Sequence, residues 1–225
     1  MTDEHDLIRW SEALSGIART GLAFTENLYE RERYEEVLHV AADIHSRISE
    51  SEGSSEKITE WMQSVGKGVP GYVTPKVAIG AVVGNDKGEI LLIQRSDSGV
   101  WLFPTGFADV GYSAAEIAEK EVLEETGLKV KATRIISILD GVRARFTRMP
   151  LYSIVFQCEV IGGSLKPHPL ECDDVGFFQE NALPEPLAGS GSWVEHAFSA
   201  IRGEPIEVQF DEPRRPVWKS EDKKN

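Results

Sequence analysis

Apolar positions near the amino terminus recur at helical spacing. Leu7, Trp10, Leu14 and Ile17 stand three and four residues apart, and Gly21 stands where such a helix would stop. A second helical pattern covers residues 29–48, with Tyr34, Val37, Leu38, Ala41, Ile44 and Ile48 along it. Two helices so joined form an antiparallel hairpin. Alone they bury too little surface to be stable, so the pattern predicts that they pack on the rest of the chain or on a second copy. Residues 50–56 read as a Ser/Glu/Gly linker, a short helix is expected around residues 58–63, and VGKGVPG at 65–71 is a further break.

From Pro75 the period changes. KVAIGAVVG is β-branched and apolar, NDKG is a hairpin turn, and EILLIQR is the returning strand. A helix is predicted over residues 114–126 and strands over 130–140 and 151–161, the latter ended by a Gly-Gly turn. A short strand over 174–180 and a last helix over 192–202 follow. Strands with interspersed helices and hairpins predict a mixed-sheet α/β domain. The chain divides into a helical unit at 1–50, a linker with the short helix at 51–71, a main domain at 72–210 and a tail at 211–225 expected to be mobile. No internal repeat is present.

The stretch GFADVGYSAAEIAEKEVLEETGL, residues 106–128, carries the chemistry. Ser113 and Glu116 form a capping box that starts the helix at Ala114, and Gly127 ends it. Glu121, Glu124 and Glu125 then share one helix face with Ala114 and Ile117. A solvated acidic face is the plain reading, but like charges at this spacing cost about 0.2–0.5 kcal/mol per pair. Two of them in the final turn also oppose the helix dipole. A divalent cation removes both penalties, and hard carboxylate oxygens suit Mg²⁺.

Composition narrows the field. A net charge of −13 and a pI near 4.9 disfavour sequence-independent nucleic-acid binding. The longest strongly apolar run, residues 77–83, is far short of the ~20 residues that span a bilayer. The acidic opening MTDEHD lacks the basic-then-apolar order of a secretory signal. Cys158 and Cys172 make no CxxC pair and no disulfide framework, so a reducing cytoplasm is the expected compartment.

The acidic stretch resembles the signature of Nudix hydrolases, G-x5-E-x7-R-E-U-x-E-E-x-G-U, with U a bulky apolar residue. Gly106, Glu121, Val122, Glu124, Glu125, Gly127 and Leu128 match; Tyr112 replaces the first Glu and Lys120 the Arg. The preceding WLFPTG resembles the family's W-x-L-P-G-G, with Thr105 in place of a glycine. Residues 6–50 are similar to the helical amino-terminal domain of a Nudix subgroup acting on nucleoside diphosphates linked to a moiety X, such as ADP-ribose or CDP-choline pyrophosphatases.

The resemblance implies an α/β/α sandwich with a mixed sheet, preceded by a small helical hairpin domain. It also implies a homodimer, a small nucleotide substrate and metal-dependent pyrophosphate hydrolysis using Mg²⁺, with Mn²⁺ as the alternative. Glu121 and Glu125 would bind the metal, and Glu124 would act as a ligand through water or in support. Glu171 would serve as base or further ligand, with Asp173 and Asp174 as competitors. Arg95 and the clustered Arg143, Arg145 and Arg148 would meet the phosphates, and Gly106 would border the substrate. Tyr112 cannot be a charged ligand at neutral pH and is expected to pack back on the helix as a staple. Lys120 keeps its charge without the planar fork of arginine, and Glu116 is one partner within reach. Two other readings compete: a non-catalytic nucleotide sensor and an RNA-trimming enzyme.

Overall fold

A strand that is apolar at consecutive positions needs cover on both faces. The computed structural model, which describes residues 4–48, 53–63, 65 and 73–213, supplies that cover for β1 (Lys76–Gly84). Ile79, Ala81 and Val83 point to one side, onto Ile117, Ala118 and Val122 of α4 (Ala114–Thr126). Val82 points to the other, onto Trp193 and the Ala197, Phe198 and Ala200 side chains of α5 (Val194–Ile201). The result is an α/β/α sandwich.

The remaining strands are β2 (Ile90–Arg95), β3 (Trp101–Leu102), β4 (Thr105–Phe107), β5 (Leu128–Asp140), β6 (Leu151–Gly163), β7 (Cys172–Phe178) and β8 (Gln209–Phe210). The mixed sheet runs β3-β2-β1-β6-β5-β8, with β4 on β1 and β7 on β2. β1 pairs in parallel with β6 along its whole length, from Lys76 opposite Leu151 to Gly84 opposite Glu159. β2 returns from the NDKG turn as expected but then parts from β1. Only Gly84 opposite Ile90 pairs, because β4 takes the next places on β1 and β2 pairs with β7. β3, β4 and β8 are too short to leave a periodic signal. Gly80 lets the layers close: a Cβ there would lie 2.4 Å from the Phe103 ring.

The helical unit holds the antiparallel hairpin, α1 (Glu4–Phe24) on α2 (Leu28–Ser46), and α3 (Ser54–Met62) joins it through the buried Trp61. Of the expected linker, residues 51, 52, 64 and 66–71 lie outside the described residues. α1 differs from its sequence reading in two respects. It continues through Gly21, where a Cβ would strike the Tyr34 ring at 2.3 Å, so this glycine serves a close helix crossing instead of a stop. Its buried face is Ile8, Ser11, Ser15, Ala18 and Leu22, while Trp10 and Ile17 face outward. Small residues win that face because the helices lie close together, with Ser11 Oγ donating to the Ala41 carbonyl at 2.8 Å. At the other end Asp211 accepts from the Asp140 N–H at 2.6 Å, so the expected mobile tail does not begin at 211; residues 214–225 lie outside the described residues.

Candidate active site

α4 is fixed at both ends by its own sequence. Ser113 N–H donates to Glu116 Oε2 at 2.7 Å and Glu116 N–H to Ser113 Oγ at 3.3 Å, the reciprocal capping box. Glu116 is therefore engaged at the start of the helix. Gly127 ends it in the left-handed region, φ +73°, where a Cβ would also lie 2.6 Å from the Ser164 carbonyl. The orphan carbonyls of the last turn find donors in the loop that follows β6. Lys166 N–H reaches the Thr126 carbonyl at 2.8 Å and His168 N–H the Glu125 carbonyl at 3.1 Å.

Between these ends the three glutamates divide. Glu121 and Glu125 are buried and Glu124 is exposed. The Glu125 carboxylate accepts from the Thr105 N–H at 2.9 Å, while Thr105 Oγ1 donates to the Ile79 carbonyl at 2.9 Å. One residue on, Gly106 pairs with Ile79, and the Glu121 carboxylate fills the space a side chain would need: a Cβ on Gly106 would lie 2.3 Å from it. Thr105 and Gly106 together thus present backbone to two carboxylates of α4.

Both acids are held above their ordinary range. Burial raises Glu125 to about 8, with added repulsion from Glu121 and Glu171; the Thr105 N–H and Arg95 oppose it. Burial also raises Glu121, reinforced by Glu124, Glu171 and Asp109 against the pull of Lys120. Glu171 is exposed at the rim; its carbonyl accepts from Ser96 N–H at 3.0 Å, and its carboxylate stands 3.9 Å from His168 Nδ1. Asp173 and Asp174 are exposed on β7. Sequence reasoning missed Thr105 as a hydrogen-bond donor, His168 and Asp109; the approach of β4 to α4 and the loop across its end leave no local pattern.

The candidate cations are placed differently from expectation. Arg95 sits beside the carboxylates, but its guanidinium holds Asp97 at 2.8 and 3.0 Å and keeps that acid at about 2. Arg143 donates to the Glu212 carbonyl at 3.0 Å and lies 3.6 Å from Asp211, and Arg148 pairs with Glu4 of α1. Arg145 occupies a left-handed backbone position in the same loop, φ +59°. Two of the three loop arginines are thus engaged away from the carboxylate site, Arg143 with residues 211–212 and Arg148 with the helical unit. Tyr112 is also exposed, its N–H on the Asp109 carbonyl at 3.4 Å, so it is no staple. A hydrophobic contact is not needed where the capping box already fixes the entry.

Among the described residues, no three His, Cys, Asp or Glu side chains converge on one point that would hold an ion. The donor set is instead the Glu121–Glu125 pair over the Gly106 backbone. Two buried carboxylates that burial drives toward protonation, despite Lys120 and Arg95 nearby, fit a divalent cation, which would supply further counter-charge. A cleft of about 1240 Å³ lies elsewhere, lined by Ile17, Phe24 and Trp61 of the helical unit and by Met149 and Tyr152.

A family model described as "NUDIX domain" matches residues 74–196, and one described as "UDP-X-like, N-terminal oligomerisation domain" matches residues 5–62. A Bacillus subtilis protein provisionally named an ADP-ribose pyrophosphatase is 31% identical over 205 residues, 89% of this chain and 95% of its own length. An ADP-ribose pyrophosphatase of Methanocaldococcus jannaschii is 34% identical over 117 residues, 51% of this chain and 68% of its own. Among solved structures, a UDP-X diphosphatase superposes with a TM-score of 0.57 at 27% identity, covering 93% of this chain and all of that one.

Proposed function

The chain belongs to the Nudix family, and from that membership we propose that it hydrolyses the pyrophosphate bond of a nucleoside diphosphate linked to a second moiety, with Mg²⁺ as its metal. The relatives named for ADP-ribose and for UDP-X support this class of substrate. The observation that carries the reading is the buried Glu121–Glu125 pair, held over Gly106 by the strand β4. These two residues would hold the metal. Bound there, a divalent cation supplies Lewis acidity toward the pyrophosphate oxygens and lowers the pKa of a coordinated water.

The chain's own groups complete the arrangement. Thr105 N–H fixes the Glu125 carboxylate through Oε2, so its other oxygen is left for the ligand. Glu124 is steered by Lys120 at 2.8 Å and would act through water. Glu171 at the rim would take the proton of the attacking water on its carboxylate. Gly106 and Arg95 border the site, Arg95 backed by Asp97. A homodimer formed through the helical unit accords with the oligomerisation domain matched there. Two buried free thiols, both raised to about 12 by burial, suit a reducing compartment such as the cytoplasm.

A panel of ADP-ribose, UDP-sugars, CDP-alcohols and single-stranded RNA, incubated with Mg²⁺ and analysed for products, tests the assignment. Nucleoside monophosphate plus the phosphorylated second moiety is the expected outcome. Nucleotide binding with no product, or mononucleotide release from RNA alone, would overturn it.

A further inference from the structure

Lys120 has three carboxylates around its Nζ: Glu124 at 2.8 Å, Asp109 at 3.4 Å and Glu121 at 3.7 Å. Glu121 and Glu124 share its helix. Asp109 does not; it belongs to the loop that runs from β4 to the cap of α4. That loop starts at Ala108, whose N–H is held by the Val77 carbonyl at 2.9 Å, and ends in the Ser113 capping box. Asp109 is thus anchored on both sides before it reaches Lys120.

An ammonium carries three donors that point in different directions, so one lysine can face three acids at once where a planar guanidinium favours two parallel contacts. The acids then compete for it. The closest contact goes to exposed Glu124 and the longest to buried Glu121. Tyr112, at the position where the motif carries Glu, is turned to solvent. Asp109, three residues earlier, is the acid this loop presents.

We infer that Asp109 is a positioning residue for the metal site: by drawing the Lys120 ammonium toward the loop, it keeps that charge from closing on Glu121 and leaves the Glu121 carboxylate available to a divalent cation. Without Asp109, Lys120 has only Glu121 and Glu124 to lean on, and direct pairing with Glu121 competes with the metal. The effect is exerted on cation affinity and not on the chemical step. The inference rests on the assignment of Glu121 and Glu125 as the metal-holding pair.

Titration calorimetry with Mg²⁺ alone, in the absence of substrate, tests it on the full-length protein. Asp109→Asn is expected to weaken Mg²⁺ binding about threefold to fivefold, the most that a half-exposed ion pair supports. Asp109→Glu should restore it. Activity should show the same split: a higher half-saturating Mg²⁺ concentration, with turnover at saturating metal and melting temperature both close to wild type. In a Lys120→Gln background the Asp109→Asn change should have no further effect on affinity, because the competitor is gone. Unchanged Mg²⁺ affinity in Asp109→Asn, or a loss that persists undiminished without Lys120, would overturn the role of Asp109 alone. Absence of Mg²⁺ binding by the wild-type protein would overturn the metal assignment and this inference with it.

Discussion

Burial holds the Glu125 carboxyl at about 8, against an ordinary value of 4.5. The folded, metal-free protein therefore binds that proton more tightly than the unfolded chain does. The stability this contributes is complete below about pH 4.5 and is lost as the pH rises through about 8. A divalent cation takes the proton's place, so Mg²⁺ should raise the melting temperature far more at about pH 8.5 than at about pH 5. Glu125→Gln keeps an acceptor for the Thr105 N–H and should flatten that pH dependence, shrink the Mg²⁺-induced shift and lower turnover about a hundredfold. A wild-type melting shift in this variant would refute the metal assignment. The spacing of Glu121, Glu124 and Glu125 was legible from the chain alone. The family resemblance set Glu124 apart from Glu121 and Glu125, but their unequal burial was not legible in the spacing, because Gly106 and Thr105 reach the buried pair from a strand whose neighbour is set by tertiary pairing. Arg95 illustrates the same limit: its partner Asp97 is two residues away, yet a count of cations treats it as uncommitted.

Among the elements, α4 is the one its sequence specifies most completely, since a capping box, an apolar face and a terminal glycine all act locally. α1 is the opposite case. Its apolar spacing includes Trp10 and Ile17, which face outward; the buried face is Ile8, Ser11, Ser15, Ala18 and Leu22, with Gly21 opposite Tyr34 where the two helices cross. Periodicity finds a helix; it does not say how closely the partner will approach. The junction after α4 has its own requirement. Gly127→Ala combines a left-handed backbone with a clash against the Ser164 carbonyl, and should cost roughly 1–3 kcal/mol. It should also disturb the loop that carries His168 and Glu171. Chemical denaturation checks the first effect, and a midpoint equal to wild type would mean that the loop yields without strain.

At the scale of the whole molecule, Trp10, Ile17 and Phe24 stand seven residues apart on the outer side of α1 and are 41%, 61% and 63% exposed. Leu28 and Tyr29 continue the apolar surface at the start of α2. Part of this face lines the large cleft, as do Met149 and Tyr152 of the catalytic domain. Such a surface suits burial against a second copy, in keeping with the oligomerisation domain matched over residues 5–62. Ile17→Glu should therefore halve the mass measured by light scattering while leaving the fold intact, because Ile17 is exposed and belongs to no buried cluster. An unchanged mass would place the contact elsewhere. The sequence reading expected a hairpin unable to bury its own apolar surface; Trp10 and Ile17 do stay exposed, whereas Leu14 packs against the buried cluster of the helical unit.

The parallel pairing of β1 with β6 has a consequence in time. It joins strands from opposite halves of the catalytic domain, and contacts of that separation close late because the intervening chain must be ordered first. α4, capped from within, needs no such partner and can form early. Its glutamates then meet water, not protein, until β1 is in place and β4 can lay Thr105 and Gly106 against them. The electrostatic penalty of the site is thus incurred near the end of folding, after the rate-limiting contacts. A cation that relieves it acts mainly on the route out of the native state: it should slow unfolding and leave the folding rate almost untouched.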